Sequence, residues 1–144
     1  MKLYGYELEP FMEFLYGLKL MDRQSRMRTR LLRLLGERQH ELQQDYADLL
    51  GHYADKDADG RILEVETEDG GKGCRLQDPA AFEQAYRELL EEELVIDASA
   101  ERLAMLESVR DAVLGCGIAF EGAAAVQYDR WAEIVEQLAD ACDQ

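Results

Sequence analysis

The chain has 144 residues, about the length of one domain, with 47% apolar residues and a net charge of −15. This apolar fraction argues against a disordered chain, and no segment approaches the ~20 apolar residues of a membrane-spanning helix. The N-terminal residues do not resemble a signal peptide, and the three cysteines, Cys74, Cys116 and Cys142, are odd in number and far apart. They predict free thiols in a reducing cytosol and no zinc site.

The charge is unevenly distributed along the sequence. Residues 1–38 contain eight basic and five acidic residues, a net of +3, whereas residues 39–144 contain eight basic and 26 acidic residues, a net of −18. An acidic body of this kind repels nucleic acids and anionic membranes. We therefore expect a protein partner, with no direct contact to nucleic acid or membrane.

The first half of the chain has the spacing of helices. Apolar residues repeat at helical spacing around residues 8–18, where Pro10 suits a first helical turn. Residues 23–53 contain no proline, and Leu35, Leu42 and Leu49 recur every seven residues. This segment predicts one long helix, roughly 45 Å in length at 1.5 Å per residue.

The second half begins with a change of composition. Residues 54–78 are rich in Asp and Gly, and the alternating "ILEVET" followed by "EDGGKG" predicts a β-hairpin around residues 60–77. Asp78 and Pro79 then mark the start of a third helix, "LVID" predicts a short extended stretch, and two further amphipathic helices follow. The prediction is a mainly α fold of about five helices, including one long helix, with a β-hairpin insertion. We expect a single domain, 1–144, with a helical core at 1–53 and 79–142 and an acidic loop and hairpin at 54–78.

The stretch "DKDADGRILEVE", residues 55–66, matches the calcium loop of an EF-hand. Asp55, Asp57, Asp59 and Glu66 are the candidate metal ligands. However, "EVET" favours a strand over the exiting helix that an EF-hand requires, and the sequence holds no second loop. We interpret the stretch as an acidic loop leading into a hairpin, with calcium as the alternative and no other cofactor.

Four arginines share one face of the long helix: Arg23, Arg26, Arg30 and Arg33. A row of guanidinium groups is a candidate anion site, because each group can hold phosphate or carboxylate oxygens. The alternative is that the row contacts acidic helices of the same fold. In a chain of net charge −15 we favour this alternative, with intramolecular carboxylates as the partners of Arg26 and Arg30.

Catalytic patterns are missing from the sequence. His40 and His52 lie on roughly one face of the long helix without an H-E-x-x-H motif, and no P-loop, G-x-S-x-G or dinucleotide fingerprint occurs. The sequence therefore predicts that the protein is not an enzyme.

Five segments resemble a family of small proteins of unknown function from phages and prophages of Gram-positive bacteria: "YGYELEPFMEFLYGLKL", "QSRMRTRLLRLL", "VETEDG", "VIDASAERLAML" and "YDRWAEIVEQL". The resemblance spans nearly the whole chain in order. It implies a phage origin and supplies no catalytic residues.

For a phage-encoded acidic protein without an active site, we expect binding and inhibition of a host protein, such as a nuclease or a component of a defence system. The acidic surface would meet its partner in the bacterial cytoplasm. An accessory role in the virion tail, or an assembly chaperone, is the alternative, and self-association and calcium binding stay open. The predicted interaction residues lie on the first helix and on the hairpin: Phe11, Phe14, Tyr16, Ile62, Glu64, Glu66 and Glu68.

Overall fold

A computed structural model describes residues 1–142 of the chain and the side chains of residues 1–138. In this part the fold is mainly helical, with five α-helices and two pairs of short antiparallel strands, which confirms the predicted fold class. The elements in chain order are β1 (Lys2–Tyr4), a 3-10 turn (Gly5–Glu7), α1 (Leu8–Gly17), α2 (Asp22–Tyr53), β2 (Glu64–Glu66), β3 (Lys72–Cys74), α3 (Pro79–Leu90), β4 (Glu93–Val95), α4 (Ala100–Leu114) and α5 (Ala123–Cys142).

The contacts divide the chain into two compact units. The terminal unit consists of Met1–Gln39 and Glu93–Gln144, and the inserted unit is His40–Glu92. The sequence instead grouped all of the helices together and set only residues 54–78 apart. The difference arises because the end of α2 packs on α3: the ring of Tyr46 lies 5.0 Å from that of Tyr86, and Tyr53 lies 6.0 Å from Phe82. The single-domain assignment stays a prediction.

In the terminal unit, β1 pairs with β4 in antiparallel register, with Leu3 opposite Leu94. Backbone hydrogen bonds of 2.8 and 3.0 Å between Met1 and Ile96 lengthen this ladder by one residue pair. The strands and the helices of this unit bury one apolar core, whose largest fully buried side chains are Leu3, Leu8, Phe11, Leu15, Leu31, Leu35, Ile96, Leu106, Val109, Val113, Ile134 and Leu138. Burial on this scale supplies the main driving force for folding of the unit.

The C-terminal end of α1 is held by a side chain of α2. The guanidinium of Arg28 donates hydrogen bonds to the carbonyl oxygens of Leu15, at 3.3 Å, and of Leu18. Carbonyl groups at the end of a helix lack intrahelical partners, and a cation there also interacts favourably with the helix dipole. Arg28 therefore stabilises the connection between α1 and α2.

In the inserted unit, α2 leads directly into β structure. Ala54 bridges to Leu76 and Lys56 bridges to Ile62, while β2 and β3 pair with Val65 opposite Gly73. The next helix starts as the sequence predicts, because the Asp78 carboxylate accepts a hydrogen bond of 3.1 Å from the Ala81 N–H. This is the usual way in which an Asp N-cap satisfies a free donor of the first turn.

Candidate functional site

The segment with the calcium-loop spacing forms a tight turn followed by a strand. The Gly60 N–H donates to the Asp57 carbonyl at 3.1 Å, and the Asp57 N–H donates to the Arg61 carbonyl at 2.8 Å. The Asp57 carboxylate accepts hydrogen bonds from the N–H groups of Asp59 and Arg61, at 2.9 and 3.0 Å. Glu66 lies in β2, where an EF-hand would have an exiting helix. The predicted hairpin is thus confirmed.

A second turn with the same backbone hydrogen bonds follows ten residues later. The Gly70 N–H donates to the Thr67 carbonyl at 3.0 Å, and the Thr67 N–H donates to the Gly71 carbonyl at 2.9 Å. Gly60 and Gly70 have φ of 80° and 81°, which favours glycine. A hydrogen bond from the Thr67 hydroxyl lowers the pKa of the Asp69 carboxyl, and a weaker contribution in the same direction comes from the backbone N–H of Asp69.

Turn chemistry therefore accounts for the Asp and Gly spacing that resembles a calcium loop. Among residues 1–138 the structure groups no set of three or more His, Cys, Asp or Glu side chains suited to a metal ion. The candidate ligands Asp55, Asp57, Asp59 and Glu66 are distributed over a turn and a strand, and their lack of calcium affinity stays a prediction.

The carboxylates around these two turns form an exposed surface. We call it the acidic hairpin surface, consisting of Asp57, Asp59, Glu64, Glu66, Glu68 and Asp69. Glu64 and Glu66 are two positions apart in β2 and so share one face. Lys72 approaches Glu64 at 3.6 Å, but both side chains are largely exposed, so the pair contributes little to stability.

Two exposed aliphatic residues precede the first glutamate of β2 on the same hairpin as the acidic hairpin surface. Ile62 is 39% exposed and Leu63 is 43% exposed, and they directly precede Glu64 in the chain. The inserted unit as a whole contains fifteen acidic and five basic residues, a net of −10. The structure thus places the predicted interaction residues Ile62, Glu64, Glu66 and Glu68 on one exposed hairpin.

The three predicted interaction residues of the first helix would have to be exposed, and for Phe11 this prediction is wrong. Phe11 is completely buried, with its ring 5.1 Å from that of Trp131 in α5, and Phe14 is half-buried against Trp131 and Tyr128. Tyr16 is 79% exposed. The apolar face of α1 is therefore covered by α5, and Tyr16 alone of the three predicted residues offers an exposed ring.

The arginine row of α2 is divided between two surfaces. Arg23, Arg26 and Arg30 line a cleft of about 590 Å³ between α2 and α4, whereas Arg33 lines a separate groove of about 470 Å³ between α1 and α2. No carboxylate among the described residues lies within 4.0 Å of these four guanidinium groups. The prediction that Arg26 and Arg30 are paired with intramolecular carboxylates is therefore wrong for the described chain.

Sequence reasoning missed a partly buried ion pair between the start of the chain and α5. Glu7 is 5% exposed, and its carboxylate accepts hydrogen bonds of 2.6 and 2.9 Å from Arg130 and one of 3.0 Å from the Tyr4 N–H. Burial raises the pKa of Glu7, but these hydrogen bonds and the guanidinium charge outweigh burial, so the pKa lies below its ordinary value. The hydrogen bond to Glu7 in turn raises the pKa of Arg130, against the effect of burial.

Two exposed tyrosine rings lie next to this ion pair at the protein surface. The guanidinium carbon of Arg130 lies 5.8 Å from the ring centroid of Tyr4, within cation–π range, and the ring of Tyr6 stacks on that of Tyr4 at 5.6 Å. The only local signal in the sequence is the aromatic spacing in "YGYE", because the partner arginine is 123 positions away from Glu7.

The histidines do not form a catalytic arrangement with one another. His40 contacts the side-chain amide of Gln44 at 3.1 Å, while the ring of His52 stacks edge-on against Tyr53 at 4.9 Å. Both histidines are exposed. Such contacts are typical of solvated helix faces, and the non-enzymatic character of the protein stays a prediction.

No protein-family model, no curated protein and no solved structure matches this chain. The resemblance to phage and prophage proteins therefore stays a prediction. Within the part of the chain that the structure describes, no helix combines the length and the apolar character needed to cross a membrane.

Proposed function

We propose that this protein is a non-enzymatic interaction protein that binds a basic protein through the acidic hairpin surface. The observation that carries the proposal is the exposed pair Ile62 and Leu63 beside a cluster of exposed carboxylates. Scattered charge alone is ordinary for a solvated surface. Two exposed aliphatic residues, consecutive in the chain and within such a charged surface, offer apolar contacts that burial against a partner would stabilise.

The two kinds of side chain have different roles in binding. The net charge of −10 on the inserted unit accelerates the approach of a basic partner over distances up to the screening length, about 8 Å at physiological ionic strength. The aliphatic pair then contributes to the lifetime of the complex, because most differences in affinity between related complexes arise in the dissociation rate. Salt should therefore slow association more than it changes dissociation.

The resemblance to phage proteins supports a host protein as the target. A protein that binds nucleic acid carries a basic groove, and an acidic surface competes for such a groove without contacting the nucleic acid itself. We propose the bacterial cytoplasm as the site of this encounter and inhibition of the host protein as its consequence.

The test is affinity capture from infected host cells, followed by kinetic measurements with the purified partner. We expect Ile62→Ser with Leu63→Ser to abolish capture, while Val126→Ser, a change at a 74% exposed apolar residue of the terminal unit, leaves it unchanged. The association rate should fall as sodium chloride increases. Recovery of virion tail components alone would replace the inhibitor role with an assembly role, and capture that both variants retain would contradict the proposed surface.

A further inference from the structure

The cleft between α2 and α4 combines three arginines with an apolar floor. Arg23, Arg26 and Arg30 line it together with Met27 and Met105, and its volume of about 590 Å³ is of the size that small ligands occupy. Both methionines are buried, whereas the three arginines are exposed. The cleft therefore offers three exposed cationic groups beside two buried methionine side chains.

The arginine row is electrostatically unfavourable in the absence of a counter-charge. Arg23 lies three positions before Arg26 on the helix and Arg30 lies four positions after it, so both are neighbours of Arg26 on the helix surface. Like charges at these spacings destabilise a helix. The chain has 31 acidic residues for 16 basic ones, yet no described carboxylate lies within 4.0 Å of the row. An anion from outside the described chain would remove this repulsion.

Two acidic residues also line the cleft, Asp22 and Glu101, and neither is close enough to pair with the row. Asp22 is the only described non-glycine residue with a positive φ, 51°. Strained backbone of this kind persists where the surrounding structure fixes it and often occurs at binding sites. Three positive and two negative side chains leave the lining with a net charge of +1, in a chain of net −15.

We propose that this arginine cleft binds a small phosphate-bearing ligand. A phosphate group carries nearly two negative charges and three acceptor oxygens, so it can accept hydrogen bonds from several guanidinium groups at once, whereas a carboxylate offers one charge and two acceptor oxygens. Met27 and Met105 provide a surface for an organic part of the ligand, and the Glu101 carboxylate accepts hydrogen bonds from hydroxyl or amino groups on it. The site belongs to the terminal unit and is independent of the acidic hairpin surface.

Calorimetry with pyrophosphate and with ATP tests the proposal, at low ionic strength and with the complete chain. We expect saturable binding with Kd below about 1 mM for at least one of the two, weakened at least tenfold by Arg26→Ala and by Arg30→Ala. Arg33→Ala is the matched control, because Arg33 lies on the same helix outside the cleft. Equal affinity for pyrophosphate and ATP would mean that the cleft recognises the phosphate groups alone. Tighter binding of ATP would mean that Met27 and Met105 also contact the organic part of the ligand.

Thermal unfolding separates a binding role of the arginines from a structural one. Without ligand, Arg26→Ala should leave Tm unchanged or raise it, because it removes like-charge repulsion. Ligand should raise the Tm of the unaltered protein and not that of the variant. The proposal is overturned if neither ligand binds saturably, if Arg33→Ala weakens binding as much as Arg26→Ala, or if Arg26→Ala lowers the Tm of the unliganded protein.

Discussion

Arg130 donates two hydrogen bonds, of 2.6 and 2.9 Å, to the buried carboxylate of Glu7. The pair joins α5 to the turn that follows β1, and its two-point geometry fixes the orientation of both side chains. Removal of Arg130 leaves the Glu7 carboxylate charged and buried without its counter-ion, which is more destabilising than removal of both partners.

Replacement of Arg130 should therefore destabilise the protein strongly. We expect Arg130→Ala to lower the free energy of unfolding by about 2–4 kcal/mol, because Glu7 keeps its charge in a buried position. The double variant Glu7→Met with Arg130→Met should lose less free energy of unfolding than the single variant Arg130→Ala. Urea denaturation measures both, and a loss below about 0.5 kcal/mol for Arg130→Ala would show that water replaces the guanidinium without cost.

The same pair predicts a loss of stability in acid. The folded pKa of Glu7 is lower than its unfolded value of about 4.3, so its contribution is complete above that value and is lost as the pH falls through the folded pKa. Unfolding of the unaltered protein and of Glu7→Gln between pH 3 and pH 7 measures this. The stability difference between the two should be largest near neutral pH and should narrow below about pH 4; a constant difference would contradict the lowered pKa.

The two glycines with positive φ should be sensitive to substitution although space surrounds both. An added Cβ at Gly60 or Gly70 would meet nothing within 4 Å, so the effect isolates backbone strain. We expect Gly60→Ala and Gly70→Ala each to destabilise the inserted unit by about 1 kcal/mol. Gly51, inside α2 with equally open space, is the control, and Gly51→Ala should stabilise the protein. Hydrogen exchange within residues 54–78 provides the local measurement.

Calcium binding should be weak at best. The Asp57 carboxylate already accepts two backbone hydrogen bonds, and Glu66 lies in a strand, so we expect no affinity tighter than about millimolar. Calorimetric titration with calcium chloride measures it. Micromolar affinity that Asp55→Ala abolishes would restore the EF-hand interpretation.

Removal of Arg28 should destabilise the protein, whereas removal of Arg26, two positions earlier in α2, should not. Arg28→Ala removes the guanidinium hydrogen bonds to the carbonyls of Leu15 and Leu18, and leaves Leu15 only the Leu18 N–H at 3.3 Å, so it should destabilise the protein by about 1–3 kcal/mol. Arg26→Ala removes no described ion pair and serves as the control. Equal losses of Tm in the two variants would mean that Arg26 has a structural partner.

Local sequence signals predicted most of the fold. The Asp78 cap, the Pro79 start of α3, the long α2 and the hairpin of residues 60–77 all follow from spacing and turn chemistry within a few residues. The pairing of β1 with β4 had no such signal, because three-residue strands are too short to show a pattern and their partners are far apart in sequence.

The candidate sites were predicted less well, for the same physical reason. The exposure of Phe11 depends on α5, which covers that side of α1, and the pairing of Arg26 depends on where distant carboxylates lie. Residues such as Ile62 and Glu64, in contrast, lie next to turns that keep them at the surface, so sequence alone sufficed to expect them there. A local signal thus predicts what the chain exposes at a turn, but not what another helix covers.

The discontinuity of the terminal unit has a consequence for the order of folding during synthesis. Lys2 cannot pair with Val95 until residue 95 has left the ribosome, whereas His40–Glu92 is contiguous and is complete before that moment. Ordered structure in this intervening stretch shortens the flexible loop that separates the two strands, and loop-closure entropy falls with loop length. The inserted unit would then act as an intramolecular folding aid. Substitutions that destabilise the inserted unit would slow the folding of the terminal unit and leave the final stability of the terminal unit unchanged.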